Sequence, residues 1–343
     1  MTLRRLARVS FDRAAAATGL LALAESRMRG RLTIITFHRV LPDALFKDYL
    51  FPSLAVSESM FRGQMQSLAR RCRVVTLEEG MAAMRDGSAG PKPMVAVTFD
   101  DGYADNVKVA APIMNAVGVR ATFFVVTGLI GTDAELWYDV AARRWQHASL
   151  AQLSQACRAA GVPEPWTAAH KPAIGEWMAF LKKLAPSQRA NVVAELHDPG
   201  PSKERRHLDR LMTPDELCEL RDAGHVIGSH SMSHPLLPQL DADALEAELV
   251  ESRKLLEHWL HAPVRGFSYP NGDQDDRVRA AVAHAQCTYA CTTRTGRNEP
   301  DADPLRLSRI DMHPSRSSGL HGEFDEPSFR AAISLIHPFP RSK

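Results

Sequence analysis

The apolar run Val95-Ala96-Val97-Thr98-Phe99 passes directly into Asp100-Asp101-Gly102. Its length and composition are those of a buried strand. Neighbouring residues on a strand point to opposite faces, so two adjacent acids converge on one site only if the backbone turns at the strand end. Gly102, which tolerates positive φ, permits that turn. A strand that ends this way places its chemistry where the chain leaves the sheet.

The flanking sequence repeats the strand–helix rhythm. Leu32–Phe37 reads as a strand ending at His38-Arg39-Val40, residues 41–57 as a loop, and 57–70 as a helix capped by Ser57. Val74-Val75 is a short strand, and Thr76 with Glu79 has capping-box spacing for a helix over 76–85. A helix over 104–117, stopped by Gly118, leads to a strand at 120–126. After residue 212 the rhythm resumes. Helices are predicted at 213–223, 241–260, 275–285 and 326–336, and strands at 225–229, 265–269, 288–292 and 305–310. Short strand–helix–strand connections of this kind build a parallel sheet with right-handed crossovers.

Residues 132–212 break the rhythm. Trp137, Trp145, Trp166 and Trp177, with Pro163, Pro165, Pro172 and Pro186, punctuate helical segments at about 135–147, 149–160, 174–184 and 187–196. This stretch reads as a helical insertion carried by a domain spanning 32–343. Its tryptophans pack the insertion or, alternatively, form a stacking surface for substrate.

Residues 1–31 are basic and alanine-rich. Two readings are open. A charged start, a short apolar run and Ala22-Leu23-Ala24 fit a signal peptide, which would make the protein secreted or periplasmic once residues 1–24 are removed. Leu6, Val9, Ala17, Leu20, Leu21, Ala24 and Met28 instead fit an amphipathic helix docked on the domain or in peripheral contact with an anionic membrane. Asp12 and Arg13 at the edge of the apolar run favour the helix. So do Cys72, Cys157, Cys218, Cys287 and Cys291, whose odd number and irregular spacing read as reduced thiols of a cytoplasmic protein. The net charge of +2 argues against a dedicated nucleic-acid binder.

His230 and His234 are four apart and follow the strand 225–229. On a helix or in a tight turn this spacing brings both imidazoles to one side. Two histidines and one carboxylate form an open metal set, with positions left for water and substrate. Both the Asp-Asp-Gly and the His-x-x-x-His motifs follow strands of one parallel sheet, and ligand sites gather at the carboxyl ends of such strands.

Thr98-Phe99-Asp100-Asp101-Gly102 followed by His230-Ser231-Met232-Ser233-His234 resembles the first two motifs of the polysaccharide deacetylases, carbohydrate esterase family 4, with its NodB-like homology domain. The resemblance spans residues 32–310, and Phe37-His38-Arg39-Val40 is similar to the first strand end of one branch of that family. It implies an irregular (β/α) barrel of about seven strands and a hydrolase that removes acetyl groups from N-acetylhexosamine units of a polysaccharide, oligosaccharide or lipid-linked saccharide. It further implies Asp101, His230 and His234 as ligands of a divalent metal, zinc first, with cobalt, manganese or nickel as alternatives. Asp100 is then the general base that deprotonates the attacking water. The third motif corresponds to Ser268-Tyr269-Pro270-Asn271-Gly272, with the oxyanion N–H at Asn271 or Tyr269. Tyr103 and Tyr269 join Asn271 as substrate-binding candidates.

Two positions depart from the family pattern. Many members carry an arginine where this chain has Ser268. Arg309 is the replacement partner for Asp100, with Arg306 and then Arg265 behind it. The general acid is His38, or His337 in Leu335-Ile336-His337. Rival readings are an O-acetyl esterase on a glycan and a catalytically weak saccharide-binding relative. Considered singly, Asp100 could cap the following helix, Asp105 and Asn106 belong to its first turn, and His225, His258 and His261 are exposed.

Overall fold

Met94–Phe99 (β5) is buried along its whole length, as is Leu32–Phe37 (β1), which pairs with it in parallel from Leu32 opposite Met94 to Phe37 opposite Phe99. Strands covered on both faces read as continuous apolar runs, which is why these two stand out in the sequence. The computed structural model describes residues 3–164, 166, 170–200, 203 and 206–337. The other strands are Arg39–Leu41 (β2), Ala55–Ser57 (β3), Arg73–Val74 (β4), Ala121–Val125 (β6), Val226–Ser229 (β7), Gly266–Ser268 (β8), Tyr289–Cys291 (β9) and Ile310–Asp311 (β10). The main sheet is parallel throughout, in the order β10-β1-β5-β6-β7-β8-β9, with β4 on the start of β5.

Its two ends are bridged by one segment. The Pro304 carbonyl accepts from Ala290 N–H in β9, and Leu307 exchanges backbone bonds with Ala290 and Thr292. Three residues later, Ile310 and Asp311 pair with Ile35 and Thr36 of β1. The result is an irregular (β/α) barrel. The strand predicted at 305–310 is therefore divided between two neighbours. At the crossing, Asn298 takes the place of a strand: its side chain accepts from Ser308 N–H at 2.8 Å and donates to the Ser308 carbonyl at 2.9 Å.

The predicted loop at 41–57 holds structure of its own. β2 and β3 form a separate parallel pair around the short helix Asp43–Phe46. Three-residue strands carry too few alternations to register as a period. Helix starts fared better. Ser57, Thr76 and Thr213 each cap a helix, the last two as full capping boxes with Glu79 and Glu216. The helix predicted over 104–117 opens with a π turn, Asn106–Ala110, and the long helix 242–260 contains a second, Ala247–Glu251.

The chain divides into two compact units, Met1–Gly131 with Leu211–Lys343, and Thr132–Arg210. The second unit is helical among its described residues: Trp137–His147, Leu150–Ala159, Ile174–Lys183, Pro186–Ala194 and Arg206–Asp209. Trp177 is fully buried and meets Trp166 and Phe180, so it serves packing within the unit rather than a stacking surface. Pro165 lies outside the described residues.

In the first unit, the helices Leu3–Ala17 and Leu20–Ser26 pack on Glu326–Ile333. Ala15, Leu21 and Ala331 share an apolar contact. Arg13 pairs with Asp325 at 2.8 Å, Arg330 forks onto Glu25 at 2.7 Å, and Arg5 and Arg8 donate to the Gly319 and Ser318 carbonyls. All five cysteines are free thiols.

Candidate active site

The site forms where β5 and β7 end. Asp100 still keeps the sheet register, its N–H donating to the Phe37 carbonyl at 3.0 Å. The chain then turns through Asp101 (φ 77°) and Gly102 (φ 91°). Aspartate is among the few side chains that enter the left-handed region readily. At Gly102 a Cβ would lie 3.0 Å from the Val125 side chain, so the turn requires glycine there.

Beyond β7 the segment from His230 to His234 is a turn with two left-handed residues, Ser231 (φ 68°) and His234 (φ 59°), not a helix. Its conformation is held from several sides. His234 N–H donates to Ser231 Oγ at 3.0 Å, and Thr127 and Gly128 N–H donate to the Ser231 and Met232 carbonyls. The Glu248 carboxylate accepts from Met232 N–H at 2.8 Å, from Ser233 N–H at 3.0 Å and from the Ser233 hydroxyl. Glu248 lies in the second π turn, and no local motif in the sequence marks it.

The two imidazoles meet one carboxylate. His230 Nε2 lies 3.6 Å and His234 Nε2 3.7 Å from Asp101 Oδ1, all three side chains being buried. His230 Nδ1 is 2.6 Å from the Ser268 carbonyl, so that nitrogen carries the proton and Nε2 presents a lone pair. Burial pushes His234 down to about 3, which leaves its ring neutral. Asp101 Oδ2 is buried and has no hydrogen-bond partner among the described residues. Donor atoms about 3.3–3.6 Å apart are what tetrahedral coordination at about 2.0–2.2 Å produces. The donor set and the orphaned oxygen fit a divalent cation.

Asp100 has a different partner. Arg309 Nη1 donates to Oδ1 at 2.8 Å and Nη2 to Oδ2 at 2.6 Å, both groups being fully buried. Arg309 also donates to the Thr292 carbonyl, Thr36 Oγ1 and Ser268 Oγ. Ser268 shares Asp100 with Arg309, its hydroxyl 3.3 Å from Oδ2. Burial alone would raise the Asp100 carboxyl. The Arg309 guanidinium outweighs it and holds the group well below the carboxylate range. Arg306 pairs with Gln274 and Asp276, and Arg265 lies nearest Glu78, so neither reaches Asp100.

The remaining candidates divide. His38 follows β1, its carbonyl held by Asn106 Nδ2 at 2.9 Å, directly after Phe37, whose carbonyl accepts from Asp100 N–H. His337 is placed elsewhere, its Nδ1 3.5 Å from the buried Asp12 of the N-terminal helix. Tyr103 is a buried packing residue with the Arg39 guanidinium 4.3 Å from its ring centre. Tyr269 belongs to an apolar core cluster and donates its hydroxyl to the Leu305 carbonyl at 2.9 Å. Neither ring offers a surface to substrate. Tyr269 N–H donates to the Cys291 carbonyl, and Asn271 sits half-buried at φ 56° in the turn after β8.

Two further expectations are corrected, at His225 and Asp100. Asp105 and Asn106 stand in the first turn of the helix after Gly102, as expected, and Asp105 is in addition a buried ion-pair partner: Arg39 Nε donates to it at 2.8 Å and Val40 N–H at 2.8 Å. Together with Asn106 it ties the β1–β2 corner, and hence His38, to the helix after Gly102. His225 is buried, accepting from Ala121 N–H at 3.1 Å. Asp100 caps no helix; its oxygens are committed to Arg309 and Ser268.

The family model described as Polysaccharide deacetylase matches residues 87–162 and 181–290, more than half of the chain. YxkH of Bacillus subtilis (strain 168) is 21% identical over 275 residues, 80% of this chain and 71% of that one. The Streptococcus pyogenes deacetylase PplD, solved in complex with acetate, shares the fold at a TM-score of 0.58 and 18% identity, over 88% of this chain and 98% of that one. IcaB from Ammonifex degensii does so at 0.55 and 17%, over 89% and 97%. The chain belongs to the polysaccharide deacetylase family, carbohydrate esterase family 4.

Proposed function

We propose that the protein is a metal-dependent N-deacetylase acting on N-acetylhexosamine units of a polysaccharide, oligosaccharide or lipid-linked saccharide. The observation that carries this reading is the division of two adjacent carboxylates: Asp100 is forked by Arg309, while Asp101 faces His230 and His234. Neighbouring acids with different partners serve different steps.

Asp101, His230 and His234 would hold the cation, zinc in the first instance. When bound, it supplies Lewis acidity that lowers the pKa of water and offsets charge on a carbonyl oxygen. Asp100 takes the proton of the attacking water. The arginine fork makes it a weak base but keeps it ionised and aimed, which suits a water already acidified at the site. The backbone N–H of Asn271 is assigned to the developing oxyanion. His38, near enough to bear on Asp100, returns a proton to the leaving amine. Because Arg309 stands in for the arginine absent at Ser268, that departure lends no support to a non-catalytic relative.

The test is acetate release from N-acetylated and O-acetylated oligosaccharides by metal-loaded protein. Release from the N-acetylated substrates, abolished by a chelator and by Asp100→Asn, is expected. Release from O-acetylated substrates alone would assign esterase chemistry instead. Undiminished activity after chelation or in the Asp100→Asn variant would overturn the reading.

A further inference from the structure

The large hydrophobic side chains left exposed among the described residues all lie on the N-terminal helical pair: Leu3 (86%), Leu6 (38%), Leu20 (44%) and Leu23 (53%). Single exposed leucines are ordinary, but their confinement to one feature is not. The pair has a docked face, where Val9, Asp12, Ala15, Leu21 and Ala24 are buried. On the opposite side of the first helix, Leu3, Ala7, Ser10, Ala14 and Ala17 form an exposed stripe at helical spacing. Leu20, Leu23 and Arg27 do the same on and just beyond the second.

The exposed charge carried by the pair itself and the turn after it has one sign. Arg4, Arg27 and Arg29 are exposed, and no carboxylate among the described residues pairs with them. Asp12 and Glu25, the acids of this segment, are turned inward, Asp12 buried against Arg8 and Glu25 forked by Arg330. No helix among the described residues is long and apolar enough to cross a membrane.

We propose that this helical pair is a docking face for the surface of an anionic lipid bilayer. The leucines enter the boundary between headgroups and acyl chains, and the arginines pair with lipid phosphates. A second copy of the chain is a poorer occupant. A two-fold interface on this face would set its unpaired arginines against their own symmetry mates. The inference stands on the surface alone and does not depend on the reaction proposed above.

Co-sedimentation of the full chain with unilamellar vesicles tests it. Binding to vesicles of phosphatidylcholine and phosphatidylglycerol in equal parts is expected, weakened about tenfold or more on pure phosphatidylcholine or in high salt. The double variant Leu20→Glu/Leu23→Glu should lose about tenfold or more of that affinity with an unchanged thermal melt. Arg27→Gln/Arg29→Gln should remove most of the salt dependence. Wild-type protein that ignores the mixed vesicles, or both variants binding as wild type does, would overturn the proposal. So would sedimentation showing a dimer that Leu20→Glu dissociates, which would give the face to a second copy.

Discussion

Arg309 and Asp100 lie 209 positions apart and form a single two-pronged contact, 2.8 and 2.6 Å long, inside the barrel. The arginine comes from the segment that joins β9 to β1, and the aspartate from the end of β5 next to β1. Each prong requires both the ring closure and the strand register to be in place.

Arg309→Lys keeps the charge but loses the fork, because an ammonium cannot engage both oxygens in plane. Acetate release should fall about a hundredfold or more, mostly in kcat, since the lost element orients Asp100, the proposed base. Arg309→Met leaves a buried carboxylate unpaired and should cost about 3–5 kcal/mol of stability in urea melts.

Glu248 touches no reacting atom, yet it fixes the turn that carries both histidines. Glu248→Ala should weaken metal affinity about 10- to 100-fold, read by competition with a chelating dye, while the thermal melt of the metal-free protein moves little. Equal metal affinity in variant and wild type would deny Glu248 this positioning role.

Gly128 approaches the same turn from the other side. A Cβ there would fall 2.6 Å from the Met232 carbonyl oxygen, a backbone atom with little room to yield. Gly128→Ala should destabilise by about 1–3 kcal/mol in denaturant melts and weaken metal binding with it.

Asp12 gives the fold a pH dependence separate from the chemistry. Burial raises its carboxyl to about 6, from an ordinary value of 3.8. Between roughly pH 4 and 6 the folded protein therefore holds a proton that the unfolded chain releases, so this group lowers stability as pH rises through that window. Asp12→Asn mimics the protonated form. It should match wild type near pH 4 and exceed it above pH 6 by up to roughly 3 kcal/mol, seen as a higher Tm.

What could be read from the sequence follows from the range of the interactions involved. β1 and β5 are buried on both faces, so their composition alone declares them. Thr76 with Glu79 and Thr213 with Glu216 announce helix starts because a capping box is complete within four residues. The grouping of Asp101 with two histidines was legible because each motif sits at a strand end and a parallel sheet gathers such ends. Arg309 stood ahead of Arg306 and Arg265 as the partner of Asp100 through the family resemblance, and it is the arginine found there; spacing alone gives no sign of the bend that turns its side chain inward. Tyr103 and Tyr269 looked like surface contacts beside the motifs, but the Arg39–Asp105 pair and the core under β8 enclose them. Glu248 and Asn298 act across long separations through backbone groups of other elements, which leaves no local periodicity to detect.

The bridge from β9 to β1 also sets an order of events. A chain emerging from the ribosome presents both histidines and both aspartates well before Arg309 appears. Until the last stave arrives, Asp100 lacks the group that makes a buried charge tolerable, and the nascent barrel has an open seam. Assembly of the site and completion of the fold therefore coincide: a truncated or half-folded chain carries Asp101, His230 and His234 but not the Arg309 fork that orients Asp100, and the site is whole only once the protein has closed on itself.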